Sequence, residues 1–325
     1  MHKLNNRKVF ITGGAGFISS FLAKALLQEG AHVTLFDLGD FNTSAVNGLG
    51  LLSNPRLERI NANILDKDSL LRLPKDFDYI VHAAAILGIK KVAEEPLLTA
   101  NVNVIGSHNI LEFAIRQKNL QRFVLFSTSE VYGVEAFNCK EEDPAIIPSV
   151  GSRWIYASSK CFSEHLLRAY IKEHKIFGTI VRPFNIYGPL RRGTNAMTAL
   201  VNAALNGSDI TVEGDGKQSR CWCYIEDAID GMLKILLADY LNGEAFNLGN
   251  DSEPISILHL AEKICSLLNS PSEIKVLHNK HEDVLNRAPN INKARAILGF
   301  NPTTSLKNGI IKLSDSLKSC AYSKS

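Results

Sequence analysis

The chain has 325 residues, 45% of them apolar and 21% charged, with a formal net charge of +3. That length allows one large α/β domain plus a smaller lobe. The intermixed charges exclude the basic stripe that nucleic-acid binding requires, yet leave room for a phosphate-bearing small molecule.

From Arg7 to about Arg182, short β-branched runs alternate with helical stretches. The expected strands are Lys8–Ile11, His32–Phe36, Leu57–Asn61, Tyr79–Ala83, Phe123–Ser127 and Thr179–Val181. Between them, Phe17–Gln28, Pro96–Gln117 and Trp154–His174 carry apolar residues at helical spacing. This alternation predicts a doubly wound parallel sheet with helices on both faces. After Arg182 the alternation loosens, Gly and Pro rise, and short elements such as the helix Ile257–Leu268 suggest a smaller lobe over the carboxyl edge of the sheet. The tail from Lys318 is polar and is expected to fray. The polar start Met1–Lys8 is not a signal peptide, and no apolar run reaches the roughly 18 residues of a membrane span, so a cytosolic protein with no membrane partner is expected. The six cysteines form no CxxC pair, and Cys221-x-Cys223 is a poor zinc pincer, so free thiols and no metal are expected.

The first strand runs into Gly13-Gly14-Ala15-Gly16-Phe17-Ile18-Ser19 and at once into a helix. Gly13 permits the tight turn, and Gly16 lets backbone N–H groups approach a pyrophosphate at the helix N-terminus. Ser19 holds the third small position. The second strand is followed by Asp37, an acid that accepts from the adenosine ribose and repels a 2′-phosphate, so NAD is preferred over NADP. Tyr156 and Lys160, at i and i+4, share a helix face, and an ammonium there favours the tyrosinate. The polar cluster Ser127-Thr128-Ser129-Glu130 follows a buried strand, where Thr128 is placed to orient a reacting hydroxyl.

With these motifs the chain resembles the extended short-chain dehydrogenase/reductase superfamily, specifically its nucleotide-sugar epimerases, dehydratases and decarboxylases. The resemblance spans essentially the whole chain and includes His82-Ala83-Ala84-Ala85, the run Arg182 to Pro189, Gln218-Ser-Arg220, Asn247-Leu-Gly249 and Arg287-Ala-Pro. It implies a Rossmann-type NAD domain over residues 1–182 and a mainly substrate-binding lobe over 183–325, with one later segment able to return to the sheet. Tyr156 is implied as the base, Lys160 as its electrostatic partner and nicotinamide-ribose anchor, and Thr128 as the hydroxyl-orienting residue. Phe17 and Ile18 are implied at the pyrophosphate, Asn63 and Ile64 at adenine, Ala83, Ala84 and Ala85 along the cofactor cleft, and Phe184 at the nicotinamide. Asn185 and Arg220 match positions that bind a substrate diphosphate. Arg191 and Arg192 divide between surface charge and substrate contact.

The implied first step is oxidation at C4 of the sugar. Thr-Ser-Glu-Val-Tyr-Gly with Arg287 resembles the UDP-glucuronate decarboxylases, in which Arg287 and Ser129 would hold the carboxylate and Glu130 would assist loss of CO2 or protonation at C5. A UDP-sugar 4-epimerase is the alternative. A 4,6-dehydratase lacks its acid, since Ser129 stands in that place, and a non-enzymatic dinucleotide sensor would not need Tyr156, Lys160 and Thr128 together. Relatives pair the Pro96–Gln117 and Trp154–His174 helices across a two-fold axis, so a homodimer is implied.

Overall fold

A computed structural model describes residues 3–191, 195–277 and 284–322. Seven parallel strands form the main sheet, in the spatial order Ala245–Leu248, Gly178–Pro183, Arg122–Phe126, Tyr79–His82, Lys8–Thr12, His32–Asp37, Leu57–Asn61. The six strands expected from the sequence are present with ends shifted by a residue or so. The seventh, Ala245–Leu248, comes from the later part of the chain and extends the sheet at Gly178–Pro183.

Alternation along each strand splits the core into two layers. Val9, Ile11, Val33, Leu35, Val81, Val124 and Val181 pack on one face with Leu22, Ala23 and Leu26 of the helix Phe17–Gln28 and with Ala228 and Met232 of Ile225–Leu237. Phe10, Phe36, Ile80, Phe123, Leu125 and Ile180 pack on the other with Ile110, Leu111 and Phe113 of Gly106–Ala114 and with Leu167 and Tyr170 of Trp154–His174. Lys8–Thr12 lies between His32–Asp37 and Tyr79–His82, so the strand order reverses there and a crevice opens at their carboxyl ends.

Above that edge, a four-stranded sheet places Ile255–Ser256, Ser219–Arg220, Asn286–Pro289 and Glu135–Cys139 side by side. Two short parallel pairs join Cys223–Tyr224 to Ile186–Tyr187 and Ile274–Leu277 to Ile210–Glu213.

Two expectations are corrected. The stretch Pro96–Gln117 is not one α-helix: it runs as Pro96–Ala100, a π-helical turn at Asn101–Ile105, and Gly106–Ala114. The tail does not fray at Lys318, because the last helix continues from Leu306 to Tyr322. Cys221 and Cys223 are buried with their thiols driven up by burial, and no group of metal-ligating side chains occurs among the described residues. No helix among the described residues is long and apolar enough to cross a membrane.

Candidate active site

The glycine turn closes on the neighbouring strand. Gly13 has φ of +68°, and a Cβ there would lie 2.7 Å from the backbone N of Ala84 and 2.9 Å from the carbonyl carbon of Ala83. A Cβ on Gly16 would lie 2.9 Å from the Gly13 carbonyl oxygen. The helix Phe17–Gln28 therefore begins directly at the crevice, with Gly16 as its N-cap and no side chain capping it. Backbone N–H groups and the positive helix end are thus presented to an anion. Asp37 stands beside them, accepting from Ala15 N at 2.9 Å and from Gly39 N at 2.7 Å. A glycine cradle, an uncapped helix start and a fixed acid at the ribose position fit a dinucleotide without a 2′-phosphate.

The wall of this crevice is built from a buried relay. Ala84 N donates to Thr12 Oγ1 at 3.2 Å, Thr12 Oγ1 lies 2.7 Å from His82 Nδ1, and His82 Nε2 lies 2.9 Å from Ser107 Oγ. Burial, with the Lys160 charge nearby, lowers His82 to about 3, so the ring is neutral. Ser107 donates to Asn103 O, which is consistent with the His82 proton sitting on Nε2. Ala83, Ala84 and Ala85 are half-buried along this wall. Asn63 accepts from Leu65 N at 2.9 Å and so closes its own turn, and Ile64 is buried with its carbonyl held by Asn109.

Thr128, Tyr156 and Lys160 converge where the strand Arg122–Phe126 meets the helix Trp154–His174. Tyr156 is hydrogen-bonded to Thr128. Lys160, 2% exposed, donates to the carbonyl oxygen of Phe126 at 2.7 Å. Burial lowers Lys160 to about 8 while the Glu164 carboxylate acts in the opposite direction. Tyr156 departs from the expectation: its phenol is raised, not lowered. Burial and the Glu130 carboxylate drive it up, outweighing the Thr128 hydrogen bond and the Arg287 charge. In the protein alone the ammonium does not offset desolvation.

Glu130 and Arg287 form an ion pair at 3.6 Å, with little of either side chain exposed. Arg287 Nε is buried without a hydrogen-bond partner. Arg287 stands in register beside Arg220 on the adjacent short strand. Arg220 donates to the carbonyls of Ser219 and Leu285. Ser129 is buried in the helical turn Ser129–Tyr132, between Thr128 and Glu130. Asn185 has a left-handed backbone, φ +40°, and donates to the Cys221 carbonyl at 3.0 Å. That bond stitches Asn185 to the Arg220 segment. Arg191 turns inward: its guanidinium donates to the Ile186 carbonyl and lies 5.7 Å from the Phe17 ring centre, so it is not a free surface charge. Arg192 lies outside the described residues.

Phe184 lies in the core at the end of the strand Gly178–Pro183. Its ring is fully buried against Tyr132, with centroids 6.0 Å apart. Beneath Thr128 lies a network not anticipated from the sequence. Ser127 Oγ donates to Glu164 Oε1 at 2.5 Å, and Arg182 binds both oxygens of Glu164 at 2.8 and 2.7 Å. The available signal was the third member of a four-residue series, Tyr156, Lys160, Glu164, on one helix face.

Comparison with known proteins agrees with this geometry. The family model described as "NAD dependent epimerase/dehydratase family" matches residues 9–249. The chain is similar to a UDP-N-acetyl-alpha-D-glucosaminuronate decarboxylase of Bacillus cytotoxicus, 35% identical over 94% of this chain and 95% of that protein. It is also similar to UDP-glucuronic acid decarboxylase 5 of Arabidopsis thaliana, 31% identical over 94% of this chain and 88% of that one. Among solved structures, a UDP-glucuronic acid 4-epimerase from Bacillus cereus, bound to UDP-glucuronic acid and NAD, superposes with a TM-score of 0.86. Its identity is 31%, over 96% of this chain and 99% of that one. A matching family model over most of the chain, near full-length relatives above 30% identity, and a glycine cradle beside a Thr–Tyr–Lys set lead to one conclusion: this chain belongs to the NAD dependent epimerase/dehydratase family.

Proposed function

We propose that the chain is an NAD-dependent decarboxylase of a UDP-linked hexuronate. The observation that carries this reading is the Glu130–Arg287 pair beside Tyr156. A buried guanidinium with an unused donor at the sugar-binding end suits a C6 carboxylate. The similarity to two decarboxylases supports it. Residues 1–182 with Ala245–Leu248 would hold the dinucleotide, and the four-stranded sheet carrying Arg220 and Arg287 would hold the nucleotide sugar.

NAD, when bound, supplies the acceptor and later the donor of the C4 hydrogen with its electron pair. Tyr156 removes the C4 hydroxyl proton, Thr128 holds that hydroxyl in place, and Lys160 stabilises the phenolate. The resulting 4-keto sugar is a β-keto acid. Its C5–C6 bond breaks, the electron pair moves into the C4–C5 enolate, and CO2 departs. Arg287 and Ser129 hold the carboxylate; Glu130, ionised in its pair with Arg287, takes a proton from solvent water once the substrate carboxylate occupies Arg287 and passes it to C5. Tyr156 then returns its proton to the C4 oxygen, giving a UDP-pentose.

The competing reading is a UDP-hexuronate 4-epimerase, favoured by the likeness to the Bacillus cereus enzyme. Incubation with UDP-glucuronate and with UDP-N-acetylglucosaminuronate decides between them. We expect stoichiometric CO2 and a UDP-pentose by NMR. Tyr156→Phe should lower the rate about a hundredfold to ten-thousandfold, and Arg287→Met should retain C4 oxidation while losing CO2 release. A C4 epimer with its carboxylate intact, and no CO2, would overturn the proposal. We also propose a homodimer, built on the apolar stripe exposed by the Pro96–Ala100, Asn101–Ile105 and Trp154–His174 segments.

A further inference from the structure

We propose that Glu164, clamped by Arg182, is a positioning residue that holds the catalytic strand end and the charge of Lys160 together. The inference rests on the reading of Tyr156, Lys160 and Thr128 as the catalytic set, and adds a residue that touches neither sugar nor cofactor.

Glu164 lies one helical turn beyond Lys160, as Lys160 lies one turn beyond Tyr156, so the three project from one face of Trp154–His174. Its carboxylate is buried and fully engaged. Oε1 accepts from Ser127 Oγ at 2.5 Å and from Arg182 Nε at 2.8 Å, and Oε2 accepts from Arg182 Nη2 at 2.7 Å and Arg168 Nη1 at 3.4 Å. Ser127 directly precedes Thr128, so one carboxylate oxygen fixes the backbone that presents the hydroxyl-orienting residue. Arg182 is itself over-determined. Its Nη1 donates to Tyr132 OH at 2.7 Å and to the Glu141 carbonyl at 2.9 Å. Tyr132 OH donates to Asn247 Oδ1 at 2.8 Å, and Asn247 N donates to Glu141 Oε1 at 2.8 Å. The clamp thus joins the strand Arg122–Phe126, the catalytic helix, the strands Gly178–Pro183 and Ala245–Leu248, and the loop through Glu141.

Such an assembly is an expensive way to stabilise a core, because a buried ion pair rarely outperforms apolar packing of the same volume. Its geometry has a use that apolar side chains lack: a fixed negative charge beneath an ammonium stripped of water. The groups acting on Lys160 are Glu164 on its own helix, the Phe126 carbonyl, and His82, which is neutral; Tyr156 precedes it by one turn on the same helix. Facing Glu164 are Ser127, Arg168 and Arg182, with the Cys161 thiol close by. Of the carboxylates, Glu164 is the one whose charge opposes the desolvation of Lys160. Despite burial, Glu164 itself is held below the ordinary carboxylate range, chiefly by Arg182 and also by Ser127 and Arg168, so the charge persists.

The test separates charge from folding. Glu164→Gln alone strands a buried guanidinium and weakens the fold, so it is paired with Arg182→Met. The double variant keeps an acceptor for Ser127 and removes both charges. It should be more stable than Glu164→Gln alone, though below the wild type because the Tyr132 and Glu141 contacts of Arg182 are lost, and should keep kcat about tenfold to a hundredfold lower with KM for the nucleotide sugar little changed. Its alkaline limb should move to lower pH, because Lys160 loses its proton earlier. Ser127→Ala should lower kcat without moving that limb. A stable double variant with wild-type kcat and pH profile would overturn the proposal.

If the wild type turns over neither UDP-hexuronate, the reading of the reaction fails separately, and a measurement without substrate decides the role of Glu164. Folded Lys160 holds its proton only up to about pH 8, against an ordinary value of 10.5, so the unfolded chain binds more protons between these limits. The burial penalty is fully present below that window and fades as pH rises through it. Comparing each background with its own Lys160→Met variant across pH should show the window opening at lower pH in the double variant. An unmoved window overturns the proposal without reference to any substrate.

Discussion

Gly13 illustrates how much of the site depends on single atoms. Its φ of +68° is a region that L side chains avoid, and an added Cβ would meet backbone, which cannot rotate away. Gly50 has the same φ with nothing within 4 Å of its Cβ position, so Gly50→Ala isolates the backbone effect. We expect Gly50→Ala to lower stability by about 1 kcal/mol and leave NAD binding unchanged. Gly13→Ala should cost about 2–4 kcal/mol, since the Ala83–Ala84 loop must move as well. It should also weaken NAD binding by at least about tenfold in a calorimetric titration; an alanine variant that binds NAD like the wild type would refute the cradle. The turn at Gly13, the place of Asp37 at the end of the second strand and the shared helix face of Tyr156 and Lys160 were legible in the sequence because each is a local feature. The ionisation of Tyr156 was not. Its direction is set by burial, by Glu130, and by Arg287 from a distant strand, none of which a four-residue spacing reveals. The packing of Phe184 on Tyr132 was equally out of reach, since the fold alone brings the two rings together.

At the scale of elements, apolar periodicity located the strands and the catalytic helix but could not see the break at Asn101–Ile105. The π-helical turn widens the spacing locally and turns Asn103 into the core. There its Oδ1 accepts from Ile86 N at 2.8 Å, and its Nδ2 donates to Ile86 O at 3.2 Å and to Ser159 Oγ at 3.1 Å. Ser159 Oγ in turn donates to the Tyr156 carbonyl at 2.7 Å. One amide therefore ties the cofactor-side loop to the catalytic helix. Asn103→Leu leaves the Ile86 N–H and carbonyl without those partners, which should lower stability by about 2–4 kcal/mol in denaturant unfolding. NAD affinity should fall as well, because the loop following Ala85 is released. A loss of stability with unchanged affinity would show that the loop is held by other contacts.

At the scale of the whole molecule, the sheet is covered on both faces, yet one helical surface is not. Leu97 is 79% exposed, and Leu98 and Ile105 are exposed on the adjoining segments. On Trp154–His174, Ser158, Phe162, His165 and Ala169 form an exposed stripe at helical spacing, with Phe162 at 51% exposure. Apolar side chains of this size grouped on two neighbouring helices are costly to leave in water. In the proposed homodimer a second copy would cover them, because a two-fold axis sets the same stripe against itself. A stable interface buries on the order of 1,200–2,000 Å² in total, and two helices from each protomer can supply that. Phe162→Glu with Leu97→Glu places two carboxylates per protomer in such an interface. Sedimentation should then change from dimer to monomer at micromolar protein while the circular dichroism spectrum is kept. The axis would run beside the helix bearing Tyr156 and Lys160, so dissociation should also lower kcat more than KM. A wild-type chain that sediments as a monomer would remove the interface and leave the exposed stripe unexplained.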